Sequence, residues 1–332
     1  MDILKKLLSK YYSNAELWLP EDFTLREFAF QTYEEAVYVR HMNFQSLALL
    51  RNYLIRNTPR QAYYSSALYM DPAADRMEDK GWLGSELVFD IDSDHIEGCE
   101  VIELNIKNKS LSLVKPQCIE LAKEHELRLI DILKYEFGFS NDEIRIQFSG
   151  NRGFHTIVRP KDKEWLLLEP HHRREIVDYI KGIGLDINRI LPRSKRIRLN
   201  LSYVDGGWLR RLKHENEINE EAISKLRVEI DEQVTQDISR LIRIPGSLNG
   251  KMGLPALIIA NESSLISFKY DMRLSPFNGE YAIVKIHEKM PREIEFLGEV
   301  IRMDDHESSN KVPLPFAVFL ALNKAASILR IL

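Results

Sequence analysis

GSELVFDIDSDH, residues 84–95, is the stretch on which the fold turns. Leu87, Val88, Phe89 and Ile91 ask for a core, yet Asp90 and Asp92 interrupt them. In a β-strand, side chains at i and i+2 share a face, about 7 Å apart along the chain. Leu87, Phe89 and Ile91 then point one way, and Glu86, Val88, Asp90 and Asp92 the other. Two carboxylates on one face of a rigid strand form a pre-organised site for hard cations such as Mg²⁺ or Mn²⁺. A half-exposed strand with solvated acids has the same pattern, so DxD needs partners.

Working outward, 332 residues allow one large domain or two smaller ones. The charged fraction of 29% and hydrophobic fraction of 44% are those of a folded chain. A net charge of −4 does not announce a nucleic-acid binder, although local stripes decide such binding. Two cysteines, Cys99 and Cys118, cannot make a disulfide framework, which suggests a reducing cytoplasm. The N-terminal MDILKKLLSKYYSN has no signal-cleavage pattern. The apolar 313–332 segment is interrupted by Asn323, Lys324 and Arg330, so a core or interface helix is expected rather than a membrane span.

Periodicity predicts a helix over 2–12, strands in REFAFQ (26–31) and AVYVRHMNF (36–44), and a helix over 44–57. QAYYSSALYM (61–70) reads as extended, 86–92 as a strand, and 115–139 as a long helix closed by Gly138. Strand, glycine turn and strand follow in EIRIQFSGNRGFHTIVR (143–159). Residues 160–225 read as a polar, irregular insert. RVEIDEQV (227–234) restores a strand, and TQDISRLIRIPGSLNG (235–250) reads as a short helix running into a loop. The expected architecture is a single α/β domain, an α+β mixed sheet over 1–332, with that insert laid on it.

Two further segments supply partners for the carboxylates. In FSGNRGFHTIV (148–158), Gly150 and Gly153 permit a tight turn with positive φ whose amides face an anion. Arg152 offers a planar fork for phosphate, and His155 begins the returning strand. In 230–251, Asp231 supplies a third carboxylate, while Arg243 and Lys251 flank a Pro-Gly loop. Carboxylates with cations beside them are the equipment of metal-dependent phosphoryl transfer. From Arg189 to Lys213 there are eight Lys or Arg residues and one acid, Asp205, with Tyr203 and Trp208 interleaved. That composition suits a single strand, phosphates on cations and bases on rings. His171 and His172 read as surface residues.

FDID, SGNRGFH and IDEQV…LIRIPGSL, in this order, resemble the small catalytic subunit of archaeal and eukaryotic DNA primases. REFAF…VYVRHMNF and LSPF (274–277) are similar too. The resemblance implies a primase-polymerase core that joins nucleoside triphosphates without a pre-existing primer on single-stranded DNA, beside a large-subunit partner. It implies Asp90, Asp92 and Asp231 as the metal-binding catalytic residues. Ser149, Arg152 and His155 would hold the triphosphate with Arg243 assisting, and Glu27, Tyr38 and Arg40 would line the nucleotide pocket. Asn249 stands where relatives commonly have a His near the phosphates; it can donate a hydrogen bond but brings no charge. The family often carries a zinc knuckle after the DxD strand, whereas here only His95, Cys99 and Cys118 are at hand, so the knuckle is expected to be reduced or absent. Two other readings compete: a DxD glycosyltransferase, which leaves Asp231 and the glycine turn unexplained, and a catalytically inactive primase-like scaffold. Elemental analysis of the purified protein should find well under one equivalent of Zn²⁺; a stoichiometric content would overturn this reading of the cysteines.

Overall fold

The computed structural model describes residues 2–34, 37–106, 109–186, 206–212, 215, 218–287, 290–304 and 309–332. The chain begins with α1 (Ile3–Asn14), β1 (Phe28–Gln31), β2 (Tyr38–Met42), α2 (Leu47–Asn57), β3 (Gln61–Ser65), β4 (Ala67–Tyr69), β5 (Trp82–Ser85) and β6 (Leu87–Asp92). A hairpin of β7 (Val101–Ile106) and β8 (Lys109–Val114) leads into α3 (Pro116–Tyr135), β9 (Ile144–Phe148), β10 (Gly153–Val158) and α4 (Pro170–Lys181). Next come α5 (Gly207–Leu212), α6 (Glu220–Leu226), α7 (Glu232–Gln236), β11 (Leu241–Arg243), β12 (Leu257–Ile259) and α8 (Glu262–Ser267). The C-terminal part holds β13 (Tyr281–Ile286), β14 (Glu293–Phe296), β15 (Glu299–Arg302), β16 (Asn310–Pro313), α9 (Leu314–Leu322) and β17 (Ala326–Ile331).

Two four-stranded sheets carry the site, one ordered β12-β9-β10-β6 and the other β11-β3-β1-β2. Every described strand pairing is antiparallel. Strand β6 divides its side chains as its sequence alternates. Leu87, Phe89 and Ile91 join a core with Ile119, Ile130 and Leu133 of α3. Val88 joins the other core, with Ile157, Phe30, Tyr64 and Ile242. The first sheet is thus backed by α3 on one face and meets the second sheet on the other, and the odd members of the strand pattern, Asp90 and Asp92, lie on the inter-sheet side.

Helix α3 starts at a proline, which fits the first turn because no amide is needed there. It buries Ile119, Ala122, Leu129, Ile130 and Leu133 at helical spacing. It ends at Tyr135, before Gly138, whose positive φ lets the amide of Phe139 reach back to the carbonyl of Leu133 at 3.0 Å. The same buried face carries Glu126, whose carboxylate accepts a hydrogen bond from Thr156 of β10. Its other oxygen is buried with no partner.

Four expectations change. Residues 227–230 form no strand: Asp231 caps α7, its carboxylate accepting from the amides of Gln233 and Val234, and that local bond wins over the alternation. The short helix expected after it therefore comes earlier, and 241–243 is the strand β11. The described parts of the 160–225 segment are helical and anchored. Arg173 of α4 is fully buried, donating to the carbonyls of Ser85 at 2.8 Å and Glu86 at 3.0 Å, so α4 grips the entrance to β6. Finally, Cys99 and Cys118 are joined in a disulfide across 19 residues. Neither sulfur is a zinc-binding thiolate in that state, and the reducing-cytoplasm inference drawn from cysteine count loses its footing.

The C-terminal segment is core, as expected, but only half of it is helix. Phe316, Val318, Phe319 and Leu320 of α9 are buried, each contributing about 1.5–3 kcal/mol of apolar transfer. Phe316 and Phe319 both pack on Phe296, with ring centroids 5.2 Å apart. Lys324, at φ +60°, then turns the chain into β17. No described helix is long and apolar enough to cross a membrane.

Burial pushes Glu126 up to about 7 from its ordinary 4.5, against the lowering effect of Thr156. Below the unfolded value both states hold the proton and the group is neutral to stability. Between 4.5 and 7 the unfolded state ionises first, so stability falls as pH rises and then levels off. The full penalty is of order 3 kcal/mol. Glu126→Gln should therefore gain stability over wild type at pH 8 and not at pH 4, measured by urea unfolding; equal effects at both would refute the buried-acid account.

Candidate active site

Antiparallel pairing sets His155 directly opposite Asp90, and Gly153 opposite Asp92. Gly153 is needed for closeness: a Cβ there would stand 2.0 Å from the carbonyl oxygen of Ile91. Only Gly150 takes positive φ, at +76°, so the expectation of two such residues in the turn is half right. The amide of Ser149 donates to the carbonyl of Gly153 at 2.9 Å, closing the turn over the carboxylates.

A cavity opens between the sheets. The first sheet and its turn contribute Val88, Asp90, Asp92, Ser149, Asn151 and His155. The opposite wall has Tyr63, Val234, Arg240, Leu241, Ile242, Arg243 and Asn249. Gln147 of β9 ties the walls together, its side-chain amide donating to the carbonyl of Arg243 at 2.9 Å. Arg243 in turn donates to the side chain of Gln61 and lies over the ring of Tyr63, 5.1 Å from its centroid.

Asp231 stands beside the pair, its amide donating to the carbonyl of Asp90 at 2.9 Å. Its Oδ1 is committed to the α7 cap. Among the described residues no three His, Cys, Asp or Glu side chains already form a ligand cluster. Asp90 is nevertheless short of partners. Its Oδ1 is buried without a hydrogen bond, and His155 Nε2 is 3.5 Å away. Burial raises its pKa well above the ordinary 3.8, Asp92 and Asp231 add to the rise, and Arg240 and Arg152 oppose it. Burial also lowers His155 to about 4, with the positive charge of Arg243 pushing the same way, so its imidazole is neutral near pH 7. A desolvated acid beside like charges is a place where a cation is stabilising.

Arg152 is at the rim, paired with Asp92 at 3.2 Å and Asp94 at 2.7 Å rather than turned into the cavity. Ser149 is buried with its hydroxyl unpartnered, free to meet a ligand. Asn249 uses its side-chain oxygen on the amides of Lys251 and Met252, shaping the loop that lines the wall. Tyr38 stacks on Tyr63 at 6.3 Å and reaches the site through it. Glu27 is not a lining residue. It is fully buried and holds Arg40 at 2.9 Å, the amide of His41 at 3.1 Å and the ammonium of Lys80 at 3.6 Å. Burial alone would raise its pKa, but Arg40, the His41 amide and Lys80 together bring it below the ordinary value.

Most of the basic stripe, residues 187–205 and 213–214, lies outside the described residues, including Tyr203. Trp208 is a packing residue instead of an exposed platform: it is buried and donates to the carbonyl of Tyr179 at 2.8 Å. Arg211 pairs with Glu136 at 2.6 Å, and Arg210 lies over the exposed ring of Tyr135 at 4.3 Å. His171 and His172 are exposed, as expected. Sequence reasoning passed over Tyr63, Asn151 and Arg240. Gln61 and Tyr63 share one face of QAYYS while Ala62 and Tyr64 are core, so the alternation carried that signal. Arg240 just precedes a strand too short to show a period.

A protein-family model for the DNA primase small subunit matches residues 89–259, from β6 through β12. A relative in Hyperthermus butylicus named DNA primase small subunit PriS is 35% identical, over 96% of this chain and 94% of its own. The chain belongs to the DNA primase small subunit family. The family's members of the same name in Sulfolobus acidocaldarius and Saccharolobus solfataricus are 39% and 37% identical, over 96% and 91% of this chain and 93% and 88% of theirs. The matched stretch holds both carboxylate-bearing elements and most of the cavity wall.

Removing a partner from a buried ion network leaves the other charge uncompensated, at a cost of about 3–5 kcal/mol. Glu27→Gln should destabilise the fold by that order, with Lys80→Met in the same chain recovering a large part. A double-variant cycle in urea reads this; additive losses would mean that Glu27 and Lys80 do not act together.

Proposed function

We infer that this chain is the catalytic subunit of a DNA primase, a nucleotidyltransferase that makes short RNA primers de novo on single-stranded DNA. The observation that carries the reading is the register of β6 against β10. It puts His155 across from Asp90, Asp92 beside it, and the Ser149–Arg152 turn above them. In this reading Asp90 and Asp92 hold Mg²⁺ or Mn²⁺, and Asp231 joins through the oxygen that its cap leaves free. The donor set fits, because hard cations take carboxylate oxygens and Asp90 offers a buried one without a partner. The cations, when bound, supply charge stabilisation at the reacting phosphate.

The chain's own residues do the rest. Ser149, His155 and Arg243 face the same cavity and bind the triphosphate; neutral His155 acts as a hydrogen-bond donor there and not as a charge. Arg152 exchanges its carboxylate partners for phosphate as the nucleotide enters. Tyr38 and Tyr63 border the nucleoside end, with Arg40 held in place by Glu27. Asn249 takes a polar contact at the loop where the family resemblance places a charged donor. The protein partner of this reading is a primase large subunit, the template runs along the 189–213 basic segment, and the setting is the replication fork inside the cell. A glycosyltransferase would have no use for Asp231 next to Asp90. An inactive scaffold would have no reason to keep a desolvated carboxylate.

Asp90→Asn and Asp92→Asn should each cut nucleotide incorporation on a primed template by at least about 10²-fold, the scale of losing a charge-stabilising group. Asp90→Asn should leave the thermal midpoint at pH 7 unchanged or higher, since it removes a charge that burial opposes. Near-normal incorporation in either variant would exclude the carboxylate assignment.

A further inference from the structure

Four arginines stand in or around the cavity and its rim, and three are already engaged by the protein. Arg152 is held by Asp92 and Asp94, Arg243 by Gln61, and Arg40 by Glu27. Arg240 lines the same wall, yet its guanidinium makes no hydrogen bond or ion pair to any described residue. Its backbone, by contrast, is fixed on both sides. The amide donates to the carbonyl of Asp237 at 3.3 Å, and the carbonyl accepts from the amide of Ser66 at 2.7 Å. A guanidinium on an anchored backbone, in a polar cavity and bonded to no described side chain, is a binding group suited to an anion.

Its position narrows which anion. The carbonyl of Arg243 accepts from Gln147, the residue opposite His155 on β9, whereas Arg240 is bonded to Asp237 at the end of α7, the helix that Asp231 starts beside the carbonyl of Asp90. The two cations therefore divide the cavity, Arg243 toward the histidine and Arg240 toward the carboxylate pair. We propose that Arg240 is a catalytic residue that binds the non-bridging oxygens of the nucleotide's α-phosphate, beside Asp90, and stabilises the charge that develops there. This rests on the nucleotidyltransferase reading above and adds a residue to it. In the reaction the 3′-oxygen of the growing strand forms a bond to the α-phosphorus. The bond from that phosphorus to the oxygen bridging to the β-phosphate breaks, pyrophosphate leaves with the electron pair, and the hydroxyl proton passes to solvent. Charge on the α-phosphate oxygens grows between ground and transition state, so a group aimed at them acts on turnover and not on binding.

The test is single-nucleotide addition to a primed template by the full chain carrying Arg240→Ala, Arg240→Lys or Arg243→Ala. Nucleotide and template affinities are measured separately, by titration with a fluorescent nucleoside triphosphate and a labelled single strand. Arg240→Ala should lower kcat on the order of 10²-fold, with nucleotide KM and both affinities within about twofold of wild type. Arg240→Lys should recover part of kcat. Arg243→Ala should instead raise the nucleotide KM. Replacing an α-phosphate oxygen by sulfur should slow the wild type more than it slows Arg240→Ala, because the variant has already lost that contact. Since Arg240 holds no other described side chain, unchanged circular dichroism and thermal midpoint are expected of the variants. A raised KM with unchanged kcat would move Arg240 to the outer phosphates, weakened template binding would move it to the template path, and normal kinetics would remove it from the site; each overturns the proposal. The underlying reading fails separately, through a folded wild-type protein that incorporates no nucleotide.

Discussion

Backbone approach at Gly153 governs what lies above it. With any side chain there, the β10 backbone could not come within hydrogen-bonding distance of β6 at Ile91 and Asp92, and the pairing would end short. Because the pairing runs on to Asp92, the turn that follows β9 is delivered over the carboxylates, and His155 falls opposite Asp90. One missing methyl thus fixes the register, and register in a sheet is all or nothing, since a shift by one residue exchanges the faces. The core on α3, the inter-sheet core and the polar cavity all use the same alternation.

Electrostatics among the described residues follow one habit with two exceptions. Glu86 is buried and paired with Arg26, Glu27 with Arg40 and Lys80, and Glu136 with Arg211. These buried charges are compensated from within the chain, as their desolvation cost requires. Among the described residues Glu126 and Asp90 have no such Lys or Arg pair: Glu126 stands by itself in the core, whereas Asp90 has a buried unpartnered oxygen and like charges for neighbours. Glu126 meets its burial by holding its proton more tightly, but an acid crowded by other carboxylates in an open cavity is where a charge from outside the polypeptide is to be sought.

Much of this could be read from the sequence, and the failures have physical causes. The two faces of 87–92, the helix of 116–135, the glycine hairpin and the buried C-terminal aromatic residues are periodic over enough residues to be legible. The 227–231 stretch alternates just as well, but Asp231 satisfies helix amides locally, and a single side-chain bond there outweighs a pattern four residues long. Trp208 looked like a stacking surface because it sits among cations, whereas its indole is spent on α4. Family likeness points to Glu27 as a pocket residue, and only three-dimensional contacts reveal that it serves Arg40 from behind. Arg240 carries no periodic signal at all, and no motif points to it.

The bond between Cys99 and Cys118 has a topological effect. It closes the chain into a ring that contains the whole β7–β8 hairpin, at the point where the resembling family often binds zinc. The strand before the ring and the helix after it are therefore held together by sulfur as well as by the core that Leu104 and Leu113 of the hairpin share with both. A protease that cut the hairpin would leave Asp90 and Asp92 on one fragment and His155 and Asp231 on the other. The two pieces would still travel as one molecule until a reductant parted them.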